Sequence, residues 1–229
     1  MRNLTWKLAL TIISTFTLTG IVYSQNKPDR WEEIITQFET MDKEQSPPLD
    51  AILFVGSSSI RAWKTLEEDM APLTVINRGF GGSQFEDAIR YIDRIVVPYK
   101  PSMIVVYEGD NDIANDKSPE RVFDDYKKFV SAVRESFSEV PIFFMSIKPS
   151  PLRWSMWDNM KKANELIKDY TAQNKKLEYL DVSSIMLDKE GNVRSELFLE
   201  DNLHMNAKGY ALWTSFIKPR LIFYRSRNQ

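Results

Sequence analysis

The sequence alternates short, continuous apolar runs with longer amphipathic segments. Five of the runs are rich in β-branched and aromatic residues, and helical patterns lie between them, which predicts parallel strands joined by helical crossovers. The runs are Ala51 to Val55, Leu73 to Ile76, Met103 to Tyr107, Pro141 to Ile147 and Leu177 to Val182. Because strands that are apolar on both sides must be covered on both faces, we expect a doubly wound parallel α/β sheet.

The segments between the strands carry helical spacing and capping residues. A first, amphipathic helix is predicted by the spacing of five apolar residues, Trp31, Ile34, Ile35, Phe38 and Met41. Ser83, Ser118 and Asn206 are suited to cap later helices, which we expect to continue to Val96, Phe137 and Ile217. No repeat or linker interrupts this pattern, which indicates one domain.

Residues 1–24 have the three-part form of a secretory signal peptide: basic Arg2 and Lys7, an apolar stretch, and small Ser24 before polar residues. The apolar stretch is shorter than the roughly 20 residues that a membrane-spanning helix needs. We therefore expect cleavage near Ser24, export to the periplasm or the medium, no stable membrane insertion, and a single domain over residues 25–229. A retained anchor is the alternative.

Composition narrows the classes of function that remain. The chain is 43% apolar and 27% charged, which is typical of a globular protein, and its formal net charge is -2. Such a charge gives no electrostatic reason to expect nucleic acid as a partner. The sequence contains no cysteine, which excludes both a disulfide framework and a lipidated cysteine at the cleavage site.

Polar segments follow the predicted strands at the points where the strands end. Gly56 to Ser59 follows the first strand, Asn77 to Gly82 the second and Gly109 to Asp112 the third, while Asp201 to His204 comes after the fifth. Ligands of open α/β sheets bind outside the carboxyl ends of the strands. The four segments are therefore expected to converge on one cleft.

The four segments resemble the first, second, third and fifth sequence blocks of the SGNH, or GDSL-like, hydrolases. The resemblance extends from Phe54 to His204 and implies a flavodoxin-like three-layer α/β/α sandwich with a five-stranded parallel sheet. It also implies that Ser58 is the nucleophile, that His204 is the general base, and that Asp201 orients the histidine. No cofactor and no resident metal are expected for such an enzyme.

The same resemblance implies three donors to the oxyanion of the tetrahedral intermediate. These are the backbone amides of Ser58 and Gly82 and the side-chain amide of Asn111. A serine hydroxyl needs an adjacent base to become nucleophilic, and His204 is the only histidine in the chain. The residue types therefore suit acyl transfer independently of the resemblance.

The first block departs from the commonest pattern, because Gly56-Ser57-Ser58-Ser59 stands where most relatives have Gly-Asp-Ser-Leu. Alignment on the glycine selects Ser58, and we expect Ser57 and Ser59 to bond the backbone of the loop. The nucleophile elbow of α/β-hydrolases, G-x-S-x-G, is absent because position 60 is isoleucine.

The substrate is predicted from the residues expected to line the pocket. Arg78, Lys148 and Trp154 are candidates to line the pocket, although Trp154 and Trp157 could equally pack inward from an amphipathic helix. Export and the tryptophans of the loop after the fourth predicted strand favour short acyl esters as substrates, such as acetyl groups on a carbohydrate or a small molecule.

Three other functions remain open from the sequence. The first is hydrolysis of lysophospholipids or other acyl lipids, and the second is a non-catalytic carbohydrate-binding module on the same fold. The third is a metal-dependent hydrolase, whose ligands would be Asp110, Asp112, Asp201 and His204.

Overall fold

The computed structural model describes residues 29–227, so the predicted signal peptide lies outside the described residues. From Trp31 onward the chain folds around one sheet of five parallel strands in the order β2-β1-β3-β4-β5. The strands are β1 (Ile52–Gly56), β2 (Val75–Gly79), β3 (Met103–Tyr107), β4 (Ile142–Met145) and β5 (Leu177–Leu180). The predicted parallel α/β sheet is confirmed.

Helices cover both faces of the sheet. They are α1 (Glu32–Glu44), α2 (Ser58–Arg61), α3 (Leu66–Met70), α4 (Phe85–Arg90), α5 (Ile92–Ile95), α6 (Asp110–Ala114), α7 (Pro119–Ser136), α8 (Trp157–Ala172) and α9 (Ala207–Arg227). Helices α1 and α4 to α8 pack on one face, and α2, α3 and α9 pack on the other. The fold is the three-layer α/β/α sandwich that the resemblance implied.

Each strand supplies side chains to both layers, because successive residues of a strand point to opposite faces. In β1, Leu53 and Val55 join the core beneath α1, α4 and α7, while Ile52 and Phe54 join the core beneath α3 and α9. All five residues of β1 are buried. This explains why the sequence shows continuous apolar runs instead of alternation.

Several element boundaries differ from those predicted, and two of the differences lie close to the site. Strand β2 continues through the polar pair Asn77-Arg78 to Gly79, because its backbone stays in register with β1 up to Gly56. The segment predicted as one helix after Ser83 forms two short helices, α4 and α5. Gln84, not Ser83, caps α4, and its backbone N–H donates to Asp87.

Two other helix caps are as predicted. The Ser118 hydroxyl accepts a hydrogen bond from the backbone N–H of Arg121 at the start of α7. The Asn206 side chain accepts from the N–H groups of Lys208 and Gly209, and α9 then continues well past Ile217. Among the helices of the described residues, none combines the length and the apolar content that crossing a membrane requires.

The strand order places a topological switch point between β1 and β3. The chain leaves β1 for β2 on one side and returns to β3 on the other, which opens a crevice at the carboxyl ends of the two strands. Helix α2 begins just after β1, and α6 begins just after β3. The predicted site residues Ser58 and Asn111 therefore lie on either side of this crevice.

Candidate active site

Ser58, His204 and Asp201 form one hydrogen-bonded line. Ser58 is the first residue of α2, and its Oγ lies 3.0 Å from His204 Nε2. The other ring nitrogen, Nδ1, lies 2.6 Å from Asp201 Oδ2. Ser58 and His204 are 146 positions apart in the chain, so the fold brings them together.

The loop before α9 holds the histidine and the aspartate in place. Asp201 Oδ1 accepts hydrogen bonds from the backbone N–H groups of Leu203, at 3.0 Å, and His204, at 2.9 Å. The hydrogen bond from the His204 side chain and these two backbone bonds lower the pKa of Asp201 to about 2. The ionised carboxylate favours a proton on Nδ1 and leaves Nε2 free to accept the serine proton.

The three consecutive serines lie in different environments. Ser57 and Ser59 are buried, whereas Ser58 is partly exposed. The Ser57 carbonyl accepts from the N–H groups of Ile60 and Arg61, and the Ser59 carbonyl accepts from the Tyr210 hydroxyl. Of the three hydroxyls, the one on Ser58 contacts the histidine ring.

The three predicted oxyanion donors border the same crevice. The N–H of Ser58 opens α2, and the first N–H groups of a helix have no partner within the helix. Gly82 lies in the loop after β2 with a φ of 81°, a backbone conformation that favours glycine. The side-chain nitrogen of Asn111 donates to the Ser83 carbonyl at 3.0 Å, which leaves its second N–H for another acceptor.

The three predicted pocket residues lie in three different places. Arg78 is not brought to the crevice: its buried guanidinium pairs with Asp42 on α1 and lies over the Tyr99 ring. Lys148 is also buried, and its ammonium group bonds Asp110 at 3.2 Å beneath the site. Trp154 lies at the surface with 38% of its area exposed.

Trp154 and Trp157 resolve an alternative that the sequence left open. Their rings are nearly parallel, with an interplanar angle of 13° and centroids 6.2 Å apart. Trp157 packs into the core beneath α8, whereas Trp154 remains exposed beside it. Trp154 is therefore the member of this pair whose ring is accessible to a ligand in solution.

Sequence reasoning missed two side chains next to the site. Arg153 donates to Asp110 at 2.5 Å and to the side-chain oxygen of Asn111 at 3.1 Å. Glu108 is fully buried at the end of β3, with one oxygen 2.5 Å from the Ser83 hydroxyl. Two features of the sequence could have indicated them: Arg153 is a basic residue in the loop after β4, and Glu108 is an acidic residue directly after the apolar strand β3.

The acidic residues of the metal-dependent alternative bond basic side chains of the protein instead of facing one another. Asp110 pairs with Lys148 and Arg153, Asp112 pairs with Lys117, and Asp201 bonds His204. Within residues 29–227, no three His, Asp or Glu side chains converge as a set that could hold a metal ion.

Sequence comparison decides the family. Residues 51–212 match the profile of the GDSL-like lipase/acylhydrolase family, a span that contains Ser58, Asn111 and His204. The chain belongs to the GDSL-like lipase/acylhydrolase family. It is accordingly a carboxylic ester hydrolase, as the sequence blocks predicted. No curated protein matches the chain in sequence.

Solved structures of a GDSL-like lipase and of two esterases share the fold at low sequence identity. A GDSL-like lipase from Bacteroides thetaiotaomicron is 18% identical, with a TM-score of 0.70 over 83% of this chain and 98% of its own. A carbohydrate esterase family 3 protein from Talaromyces cellulolyticus is 17% identical, with a TM-score of 0.60 over 77% and 98%. A mutant acetyl esterase with acetate ion is 16% identical, with a TM-score of 0.60 over 79% and 100%.

Proposed function

We propose that this GDSL-like hydrolase is an exported serine esterase that removes short acyl groups, above all acetyl, from carbohydrates or small molecules. The observation that carries the proposal is the line from Ser58 Oγ through His204 to Asp201, with contacts of 3.0 and 2.6 Å. Export is supported by the signal-peptide pattern of residues 1–24.

The proposed reaction passes through an acyl-enzyme. Ser58 Oγ attacks the ester carbonyl carbon while His204 Nε2 takes the hydroxyl proton, and Asp201 stabilises the imidazolium that results. The N–H groups of Ser58, Gly82 and Asn111 donate to the carbonyl oxygen as it becomes negative. The imidazolium then protonates the leaving alcohol. Water, activated by the same histidine, hydrolyses the acyl-serine and restores the enzyme.

The surface around the triad supports a carbohydrate or other small acyl ester. Leu152 and Leu199 are exposed, and their backbone N–H groups donate to the carbonyls of Asn202 and His204. Both leucines therefore border the catalytic loop, the segment that carries Asp201 and His204. Trp154 adds an exposed ring, and aromatic rings stack on the apolar faces of sugars. Two proteins of the same fold are named an acetyl esterase and a carbohydrate esterase.

Covalent labelling tests the nucleophile. A fluorophosphonate probe should label the purified protein at Ser58, because only an activated serine attacks phosphorus. Labelling should be lost in Ser58→Ala and kept in the matched variants Ser57→Ala and Ser59→Ala. An unlabelled but folded wild-type protein would instead support the binding-module alternative.

A substrate panel tests the acyl group. On p-nitrophenyl esters of increasing chain length, kcat/KM should be greatest for acetate and should fall with each added pair of methylenes. Release of acetate from acetylated oligosaccharides would then identify the alcohol. A clear preference for long chains or lysophospholipids would overturn the proposal in favour of lipid hydrolysis.

The mass of the protein recovered from the producing cell tests export. Cleavage near Ser24 should leave a chain that begins within the segment Gln25-Asn26-Lys27. A full-length chain in the membrane fraction would favour the retained anchor.

A further inference from the structure

A small cluster of buried charges lies directly behind the oxyanion side of the site. The Asp110 carboxylate accepts hydrogen bonds from Arg153 at 2.5 Å, from Lys148 at 3.2 Å and from the Tyr107 hydroxyl at 3.3 Å. The side chain of Asp110 is 7% exposed and that of Lys148 is 1% exposed. Two formal positive charges therefore face one negative charge in a region that excludes most water.

The charge on Asp110 is maintained by these partners. Burial by itself raises the pKa of a carboxyl group, but the positive charges of Lys148 and Arg153 outweigh it and lower the pKa of Asp110 below its ordinary value. Arg153 is thus attached to an ionised anchor through a charge-assisted hydrogen bond, the kind that holds a guanidinium in a defined plane.

The Asn111 side chain is held at both ends. Its oxygen accepts from Arg153 Nη2 at 3.1 Å, and its nitrogen donates to the Ser83 carbonyl at 3.0 Å. A guanidinium has no acceptor and a carbonyl has no donor, so these partners determine which end of the amide is the NH2 group. The N–H that is not bonded to Ser83 is left for the oxyanion.

The loop that carries Arg153 also contacts the catalytic loop. The backbone N–H of Leu152 donates to the Asn202 carbonyl at 3.0 Å, one position after Asp201. The segment from Lys148 to Arg153 therefore touches both halves of the site, the oxyanion side through a side chain and the triad side through the backbone.

We infer that Arg153 is a positioning residue for the oxyanion donor: anchored on Asp110, it fixes the Asn111 amide and places positive charge behind it. The inference rests on the proposed function of Asn111. Accepting a hydrogen bond from a cation polarises the amide, which makes its N–H groups stronger donors. The benefit is greatest in the transition state, where the carbonyl oxygen carries most charge.

Arg153→Met tests the inference, because methionine keeps much of the length and the apolar packing but loses the guanidinium. With p-nitrophenyl acetate, kcat should fall by about 10- to 100-fold, the loss expected when a catalytic group is misplaced by about 1 Å. KM should change by less than about threefold, since the donor acts mainly on the transition state. A rise in KM at unchanged kcat would overturn the inference and make Arg153 a substrate-binding residue.

A double-mutant cycle separates a role through Asn111 from an independent one. If Arg153 acts through the amide, Arg153→Met should reduce kcat by much less in an Asn111→Ala background than in the wild type. Equal reductions in the two backgrounds would contradict the inference. The matched control is Arg121→Met: Arg121 also pairs with a buried carboxylate, Asp125, but on α7, and its loss should leave kcat unchanged.

Arg153→Lys is a second variant that tests the inference if Arg153→Met fails to fold. The ammonium can still pair with Asp110, but a single point charge cannot bridge Asp110 and Asn111 as the planar guanidinium does. The lysine variant should therefore keep the wild-type Tm and lose part of kcat. Wild-type kcat in this variant would overturn the inference.

A readout that needs no activity distinguishes this inference from the proposed function. In ¹⁵N–¹H correlation spectra, the side-chain NH2 signals of Asn111 can be assigned by their loss in Asn111→Ala. They should shift in Arg153→Met and stay in place in Arg121→Met. Unshifted signals would refute the contact even in an active esterase, whereas shifted signals in an inactive protein would refute only the proposed function.

Discussion

Replacement of Glu108 by glutamine should change how the stability of the fold depends on pH. Glu108 is fully buried, and one of its oxygens lies 2.5 Å from the Ser83 hydroxyl, which also lies 2.9 Å from the Phe80 carbonyl. The hydroxyl carries one hydrogen for these two acceptors, so both contacts can be full hydrogen bonds only when Glu108 carries a proton of its own and donates it to Ser83. We therefore predict that Glu108 is a neutral acid in the folded protein.

Electrostatics lead to the same protonation state. Burial raises the pKa of Glu108 well above its ordinary value, and the nearby Asp112 carboxylate raises it further. The second oxygen of Glu108 has no hydrogen-bond partner in the described part of the chain, so nothing compensates a negative charge there. Ionisation of Glu108 would leave a buried charge without a cation beside it.

The magnitude follows from linkage between protonation and folding. In the unfolded chain a glutamate ionises with a pKa of about 4.3, while burial raises the pKa of folded Glu108 above that value. Between the two pKa values the unfolded state binds one proton fewer, so the free energy of unfolding falls by about 1.4 kcal/mol per pH unit. The contribution of the neutral acid is complete below the unfolded pKa and is lost as pH rises through the folded pKa.

Urea unfolding followed by tryptophan fluorescence can measure this effect at pH 5, 6 and 7. Because the glutamine amide carries no titrating proton, the unfolding free energy of the wild type minus that of Glu108→Gln should fall by about 1.4 kcal/mol for each pH unit between the unfolded and the folded pKa. The control is Glu68→Gln, the same substitution at an exposed position of α3. A constant difference for Glu108→Gln would refute the assignment of a neutral acid.

Three further predictions concern the reaction. Asn111→Ala should lower kcat by roughly 10²- to 10³-fold with little change in KM, the usual loss of one oxyanion donor, and steady-state kinetics showing an effect on KM alone would exclude that role. Asp201→Asn should lower kcat, but by less than the roughly 10⁴-fold lost when a buried triad aspartate is replaced, because the Asp201 side chain is 47% exposed and water weakens its effect on His204. An unchanged kcat would exclude a role for Asp201 in orienting His204. Trp154→Ala should raise KM for an acetylated oligosaccharide more than for p-nitrophenyl acetate, and equal effects on the two substrates would argue against sugar contact.

Much of the fold could be predicted from the sequence, because it depends on short-range patterns. Continuous apolar runs of strand length require cover on both faces, and the helical spacing between them supplies that cover. The predicted end of a strand was wrong where polar residues continue the strand. Asn77 and Arg78 extend β2 because pairing with β1 holds their backbone, and no local pattern reveals that pairing.

The candidate site also contains one contact that local sequence determines and one that depends on tertiary structure. Asp201 and His204 are three positions apart in one loop, and their contact is set by backbone hydrogen bonds within that loop, so local sequence was sufficient. Alignment on Gly56 selected Ser58 from the three adjacent serines, but residue type alone does not show which hydroxyl meets His204. That outcome depends on how α2 leaves β1 and on where the loop before α9 lies above the sheet.

The roles of the two arginines illustrate what only the tertiary structure decided. Arg78 was a candidate from its position beside the second block, yet its side chain points from β2 toward α1 and pairs with Asp42. Arg153, in a loop after β4, reaches Asp110 and Asn111 instead. The sequence by itself determined the order of the elements and the residue types at the carboxyl edge, since local spacing encodes both. The partner of each buried charge was decided by packing between distant segments, because a charge removed from water is stable only beside the group that the fold brings to it.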